Sequence, residues 1–285
     1  MTILVKTHRG ISKLCHGEIA VVMTMGALHE GHAELMRVAR ERVGSDGTVI
    51  VTVFVNPTQF GAGEDFMKYP RTLDSDFKMC ETEGVDIVYA PDALDVYGTA
   101  DISALPASEI LDAGPLGMIL EGAARPGHFG GMLTVVSKLQ QLTGARFATF
   151  GEKDYQQLVL VTRMFADREV PVQVVPVPTV RENDGLALSS RNRYLSEQER
   201  AFAALIPQAV EAAVAAAQDG QGAAIAAGLE VLSKEPEIKV DYLVVTAPDL
   251  GPAPISGPAR VVVAVRIGAT RLLDNAPCDL GRRHE

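Results

Sequence analysis

IAVVMTMGALHEGHAELMRVARERVGSDGTVIVTVFV, residues 19–55, reads as a strand, a turn, a helix and a second strand. Ile19–Met23 is a short apolar run that stops at Gly26, and the stretch from Ala33 to Val43 takes up a helical pattern. Thr48–Val55 is nearly all β-branched and ends at Asn56-Pro57, which suits a strand buried on both faces. The theme recurs along the chain. Val85–Ala90 stops at Pro91, Phe147–Phe150 stops at Gly151, and Val172–Val177 follows a helical segment that begins near Tyr155. Short buried strands alternating with helices predict an α/β fold built on a doubly wound, Rossmann-like parallel sheet. Ligands of such sheets bind beyond the carboxyl ends of the strands. Gly26, Asn56 and Gly151 all fall at such ends, so the segments they open are expected to converge.

The character of the chain changes near Arg181. A polar loop comes next, then an Ala-rich helical region from Ala201 to Leu232, then strands at Val240–Val245 and Arg260–Ile267. The parallel alternation stops, which predicts a Rossmann-like domain over residues 1–180 and a smaller α+β domain over 181–285 that supplies the polar loop. At 285 residues, with 47% hydrophobic and 22% charged side chains, the chain can bury a full core. Its net charge of -10 argues against a nucleic-acid partner, since a phosphate backbone demands a basic surface. A few positive groups focused in one cleft can still bind one small anion. Cys15, Cys80 and Cys278 are odd in number and widely spaced, a pattern of neither disulfides nor zinc. The start, MTILVKTHRG, lacks the apolar core of a signal peptide, and no apolar run reads as membrane-spanning, so the cytoplasm is the expected location.

Three polar segments sit where apolar runs give way. Met25-Gly26-Ala27-Leu28-His29-Glu30-Gly31-His32 sets two imidazoles i, i+3 apart at the start of a helix, where free backbone N–H groups and the dipole favour an anion. HEGH lacks the i, i+4 spacing of a zinc-binding HExxH, and no third ligand is evident. In Gly151-Glu152-Lys153-Asp154, the glycine permits close backbone approach, Lys153 is a point charge for phosphate, and Asp154 suits a helix N-cap. Leu188-Ser189-Ser190-Arg191-Asn192-Arg193 offers two hydroxyls and a guanidinium to one pyrophosphate. Each taken alone has an ordinary reading as well: surface histidines on a helix cap, a plain capped turn, a solvated Ser/Arg loop. Together, in this order, they indicate a phosphate-handling site and nucleotide chemistry. Gln59, closing the strand at Asn56-Pro57-Thr58, and Gln157, one turn into the next helix, are candidates for a small polar ligand. Arg125-Pro126-Gly127-His128 reads either as a lid or as a tight surface turn.

MGALHEGH, FVNPTQFG, YPRTLDSD, EGAARPGHF, FGEKDYQQL and DGLALSSRNRYLS, in that order, resemble the pantothenate synthetase (pantoate–β-alanine ligase) family. The resemblance runs from about Val21 to Ser196, with RLLDN at Arg271–Asn275 as a weaker echo. HEGH corresponds to the HIGH-type motif of the nucleotidyltransferase superfamily, and LSSRN takes the place of its second, mobile phosphate-binding motif. The resemblance implies that ATP lies over Met25, Gly26, His29, His32, Gly151, Lys153, Asp154, Val180, Leu188, Ser189, Ser190 and Arg191. It implies that Gln59 and Gln157 hold pantoate, with Gln59 also near the β-alanine site, and that Asn56, Arg125 and His128 belong to the substrate side. His32, with His29, Lys153 and Arg191, falls to the catalytic positions. ATP with magnesium, a two-step reaction through pantoyl adenylate, and a homodimer are further implications. Three departures stand out. Met23 replaces a usual proline, which is expected to loosen the turn entering the helix. Leu188 replaces a methionine, a near volume-conserving change. Ser75 and Met79 flank the acidic cluster of Asp74 and Asp76, which weakens any case for metal ligands there.

Rival readings are a HIGH-type adenylyltransferase acting on a phosphorylated precursor, a non-catalytic nucleotide sensor, and a metal hydrolase. The glutamine pair and FVNPTQFG favour a carboxylate substrate over a phosphorylated one. A sensor has no use for both histidines, Lys153 and Arg191 aimed at a leaving group, and a hydrolase lacks ligands.

Overall fold

The β-branched run at residues 48–55 becomes an inner strand of a six-stranded sheet. The computed structural model describes residues 1–61 and 66–281 and divides into two units, one of residues 1–152 with 157–178, the other of residues 153–156 with 179 onward. In the first unit lie β1 (Ile3–Val5), β2 (Ile19–Thr24), β3 (Thr48–Val53), β4 (Ile87–Tyr89), β5 (Phe147–Gly151) and β6 (Gln173–Val177). They run in the order β1-β4-β3-β2-β5-β6 with every neighbouring pair parallel. This is the Rossmann-like sheet that the alternation predicts. From β2 the chain passes to β3 on one side and later to β5 on the other, so the order reverses between β2 and β5. That reversal is the switch point at which such sheets hold ligands.

Burial explains why these residues form these strands. Ala20, Val21 and Val22 in β2 and Ile50 and Val51 in β3 are fully buried, on both faces. The helix Glu30–Val43 lays Met36 and Ala39 against Ala20, Val22, Val49 and Val51. Each large aliphatic side chain so buried stabilises the unit by about 1.5–3 kcal/mol. Several boundaries differ from the sequence reading. The helix starts at Glu30 rather than Ala33, and β3 stops at Val53, ahead of Phe54 and Val55. Met23 stays in register with Thr52, and pairing continues to Thr24 and Val53. β1 is an edge strand of three residues, too short to show an alternation.

The second unit is the α+β part. Helices Glu197–Ala203, Leu205–Ala216 and Gln221–Leu232 accompany an antiparallel sheet of β7 (Ile238–Thr246), β8 (Gly257–Ile267) and β9 (Thr270–Leu280), in that order. Ala203, Ile206, Ala209, Val210 and Ala213 pack with Val261, Val263 and Val265 in its core. β9 is absent from the sequence reading because Asp274, Asn275, Pro277 and Asp279 break its apolar pattern; Pro277 is tolerated on an edge strand. The helical stretch Glu197–Asp219 also corrects an expectation, since by length and composition it is apolar enough to cross a membrane. Its Ala203, Ile206, Val210 and Ala213 are buried in the core of this unit.

The helix His128–Thr143 crosses the turn that follows β3 at very close range. A Cβ on Gly131 would lie 2.1 Å from the Thr58 carbonyl oxygen. Gly131→Ala gains about 1 kcal/mol of helix propensity, but the clash is with backbone and costs about 1–3 kcal/mol or more. The expected outcome is net destabilisation, read as a lower denaturant midpoint; an unchanged midpoint would show that the turn can retreat.

Candidate active site

The carboxyl end of β2 is where the first motif takes shape. His29 is the N-cap of the helix Glu30–Val43, not a member of its first turn. Its Nδ1 accepts from the Gly31 N–H at 3.1 Å, and His32 Nδ1 accepts from the His29 N–H at 3.2 Å. The two rings therefore form a reciprocal capping box in which imidazoles replace the usual Ser and Glu. Ring centroids are 4.2 Å apart. With each Nδ1 acting as an acceptor, a neutral ring carries its proton on Nε2. The structure bears out the cap reading of this motif, and in a neutral ring the cap sets the tautomer that makes Nε2–H a donor.

Sequence reasoning expects free backbone N–H groups in this turn, and the structure corrects that for several of them. Asp76, 2% exposed on the helix Leu73–Thr82, accepts from Ala27 N at 3.1 Å through Oδ2 and from Leu28 N at 2.9 Å through Oδ1. The Thr72 hydroxyl donates to both carboxylate oxygens. Gly26 N donates to the Thr24 hydroxyl. The N–H groups of Gly26, Ala27, Leu28, His29 and Gly31 are all engaged within the protein. The clamp also explains Ala27, which holds φ 53, a left-handed conformation costly for a residue with a Cβ. Gly26, at φ 82, has no room for a side chain, since a Cβ would fall 2.8 Å from Asp76 Oδ2. Met25 is half-buried beside it.

The turn after β3 is a second polar knot. Asn56 is fully buried; its Oδ1 accepts from Thr58 N, the Thr58 hydroxyl and the Tyr97 phenol, the last at 2.6 Å. Its Nδ2 donates to Gln59 Oε1 at 3.0 Å and to the Gly131 carbonyl at 3.2 Å. Gln59 is thereby held with Nε2 towards Met25 Sδ, 3.2 Å away. Burial pushes the Tyr97 phenol up to about 12, despite the opposing bond with Thr58, so it stays a donor at neutral pH. His128 is a buried first residue of its helix, and its Nδ1 donates to the Gln59 carbonyl at 2.9 Å. Arg125 donates from Nη1 to His128 Nε2 at 3.1 Å. The surface-turn reading of Arg125–His128 holds for Pro126 and Gly127, exposed in a turn closed by the His128 N–H on the Arg125 carbonyl, while the Arg125 and His128 side chains brace Gln59 from behind. Gln157, half-buried, sits in the first turn of the helix Tyr155–Asp167.

Gly151 ends β5, and Glu152–Asp154 continue as a 3-10 turn into that helix. In the second unit Lys153 Nζ lies 3.6 Å from Asp154 Oδ1. Val180 and Leu188 face each other in a short hairpin, Leu188 N donating to Val180 O at 2.9 Å, with a bridge from Arg181 to Ala187. LSSRNR is not a featureless loop. Ser189 caps a 3-10 turn over Ser190–Tyr194, its hydroxyl accepting from Arg191 N. Asn192 ties that turn to Glu182 and the Ala187 carbonyl, and Arg200 pairs with Glu182 and Asp184. The bond from Arg200 holds the Asp184 carboxyl below its ordinary range. Ser190 is half-buried and Arg191 is exposed.

With these placements in hand, a sequence model described as pantoate-beta-alanine ligase matches residues 3–277. The chain belongs to the pantoate–β-alanine ligase family. Pantothenate synthetase of Saccharopolyspora erythraea is 50% identical over 264 residues, spanning 92% of this chain and 84% of that one. That of Salinispora arenicola is 52% identical over 269 residues, spanning 93% and 92%. The crystal structure of the Thermus thermophilus pantothenate synthetase superposes with a TM-score of 0.87 at 43% identity, covering 97% of this chain and 99% of that one. The pantoate–β-alanine ligase of Francisella tularensis, solved with a β,γ-ATP compound and β-alanine, gives 0.76 at 31% identity, covering 97% of both. The chain is therefore a ligase that forms an amide bond, with the family's fold.

Asp76, Thr72, Tyr97, Asp274 and Asn275 carry much of the geometry and have no assigned role in the sequence reading. YPRTLDSD and RLLDN carry all of these but Tyr97, yet a buried carboxylate that accepts backbone N–H groups looks in sequence like any helix-surface Asp. The tautomers are checkable by nitrogen NMR. In the neutral rings the proton should reside on Nε2 of His29 and His32 and on Nδ1 of His128. Nδ1–H at either of the first two would rule out the reciprocal cap.

Proposed function

We propose that this ligase condenses pantoate with β-alanine at the expense of ATP, through a pantoyl adenylate, releasing pyrophosphate and then AMP. The observation that carries the reading is the pair of capped imidazoles at the carboxyl end of β2, beside the sheet's switch point, in a chain of this family. The complex of the Francisella tularensis relative with a β,γ-ATP compound and β-alanine supports the two substrate classes.

In the first half, a pantoate carboxylate oxygen attacks the α-phosphorus and the bond to the β-phosphate oxygen breaks. A carboxylate is already ionised at neutral pH, so no general base is needed. Catalysis then consists of positioning and of stabilising charge on the departing pyrophosphate. We assign this to Nε2–H of His29 and His32 in the first unit, and to Lys153, Ser189, Ser190 and Arg191 in the second. Met25, Gly26, Gly151, Asp154, Val180 and Leu188 are assigned to the nucleotide by backbone and packing. Gln59 and Gln157 are assigned to pantoate, with Asn56, His128 and Arg125 orienting Gln59. In the second half the amine of β-alanine attacks the acyl carbon, the acyl–oxygen bond to AMP breaks, and the amine loses a proton.

Magnesium belongs to this reading as part of the ATP substrate. Among the described residues no group of three or more His, Cys, Asp or Glu side chains could hold a metal, and both Asp76 oxygens are occupied by protein donors. No residue of the chain is assigned to the metal. We further propose a homodimer, on family resemblance alone, and a cytoplasmic location.

The test is pyrophosphate release from ATP, magnesium and pantoate alone, followed by AMP formation once β-alanine is added. Pyrophosphate without the amine, then amine-dependent AMP, is the expected sequence; no pyrophosphate in either arm would end the reading. His32→Ala and Lys153→Ala should each lose about a hundred- to thousandfold in rate. His32→Ala also removes a cap, so its melting temperature is measured alongside, with a loss of about 0.5–2 kcal/mol expected.

A further inference from the structure

We infer that Asp274 and Asn275, neighbours on β9, are positioning residues that pin both phosphate-handling segments of the second unit; the inference rests on the ATP assignment of Lys153 and Ser189–Arg191. Both are almost fully buried, at 1% and 4% exposed, and successive residues of a strand point to opposite faces. Two adjacent buried polar groups can therefore serve two different segments.

Asp274 serves the Leu188 side. Arg181 grips its carboxylate as a fork, Nη1 to Oδ2 at 2.7 Å and Nη2 to Oδ1 at 2.9 Å, and Nη1 also donates to the Gly185 carbonyl. The pairing raises the Arg181 pKa above its ordinary value. Arg181 and Ala187 are bridged in the hairpin whose next residues are Leu188 and Ser189, so the fork fixes the base from which Ser189–Arg191 project. β9 also packs on the Ser190–Tyr194 turn.

Asn275 serves the Lys153 side. Its Nδ2 donates to the Lys153 carbonyl at 3.0 Å, and its Oδ1 accepts from Arg260 Nε at 2.8 Å. Arg260, itself 6% exposed, stacks its guanidinium 3.6 Å from the centre of the Tyr155 ring. The Tyr155 phenol donates to the Pro248 carbonyl. The Lys153–Tyr155 backbone is thus held by an amide at one end and a cation–π stack at the other. The Asn275 N–H donates to Asp274 Oδ1 at 2.7 Å, which joins the two halves into one strut. The amide at 275 suits both partners, donating through Nδ2 to a carbonyl while accepting through Oδ1 from a guanidinium.

Asn275→Asp tests the strut at constant size: it keeps an acceptor for Arg260 but sets an oxygen against the Lys153 carbonyl. Pyrophosphate release should fall about 10–100-fold in kcat, the range for loss of a partner that orients a ligating group, with KM for pantoate unchanged. In a Lys153→Ala background the same substitution should cost almost nothing, because a strut matters only through the group it holds. Full turnover by Asn275→Asp, or an undiminished loss in the Lys153→Ala background, overturns the proposal. Amide hydrogen exchange, read without substrate, judges the strut separately from the ATP reading. Asn275→Asp should quicken exchange at 153–156 and Asp274→Asn at 181–188. If the unaltered protein released no pyrophosphate, the ATP reading would fall, and unchanged exchange in these variants would still overturn the strut. Should either variant fail to fold, Arg181→Lys, which keeps the charge and loses the fork, gives the second reading at 181–188.

Discussion

The parallel ladder through β2, paired with β3 on one edge and β5 on the other and buried on both faces, is the constraint on which the rest depends. A strand without a solvated face has nowhere to put a polar side chain except beyond its ends. The chemistry of the first unit is accordingly compressed into the turns at the carboxyl ends of β2, β3 and β5. Because the strand order reverses between β2 and β5, the turn at Met25–His32 opens at the edge of a crevice rather than beneath a crossing connection.

Burial of those turns creates a second constraint: every N–H and carbonyl left without a ladder partner must be satisfied locally. The solution here is reciprocal. Two imidazoles cap one another's backbone, Asp76 takes the N–H groups of Ala27 and Leu28, and Asn56 engages both ends of its amide to hold Gln59. Asp274 and Asn275 do the same for the second unit. Side chains held by this many partners lose little further freedom when a ligand arrives, which is the condition for electrostatic preorganisation.

Much of this fold was legible in residues 19–55, because a run such as Thr48–Val53 with no polar face has few places to go except the middle of a parallel sheet. β1 was not legible, being three residues on an edge, and neither was β9, whose Asp274 and Asn275 read as loop until their partners are known. The site shows the same division. His29, His32, Lys153 and the Ser189–Arg191 segment stood out as groups suited to phosphate. Asp76 and Tyr97 did not, since their importance lies in partners 40 or more residues away in the chain: Ala27 is 49 residues from Asp76, and Asn56 is 41 from Tyr97.

The sequence by itself determined the sheet, the family and the residue types available for phosphate, because these follow from local periodicity and from short motifs. Only the tertiary structure decided that the N–H groups of Ala27, Leu28, His29 and Gly31 are already taken, that Nδ1 of both rings is an acceptor, and that Arg125 and His128 brace Gln59. Those outcomes depend on which donor meets which acceptor across long separations in the chain. Hydrogen-bond saturation is a property of the packed whole, and no periodicity in the sequence records it.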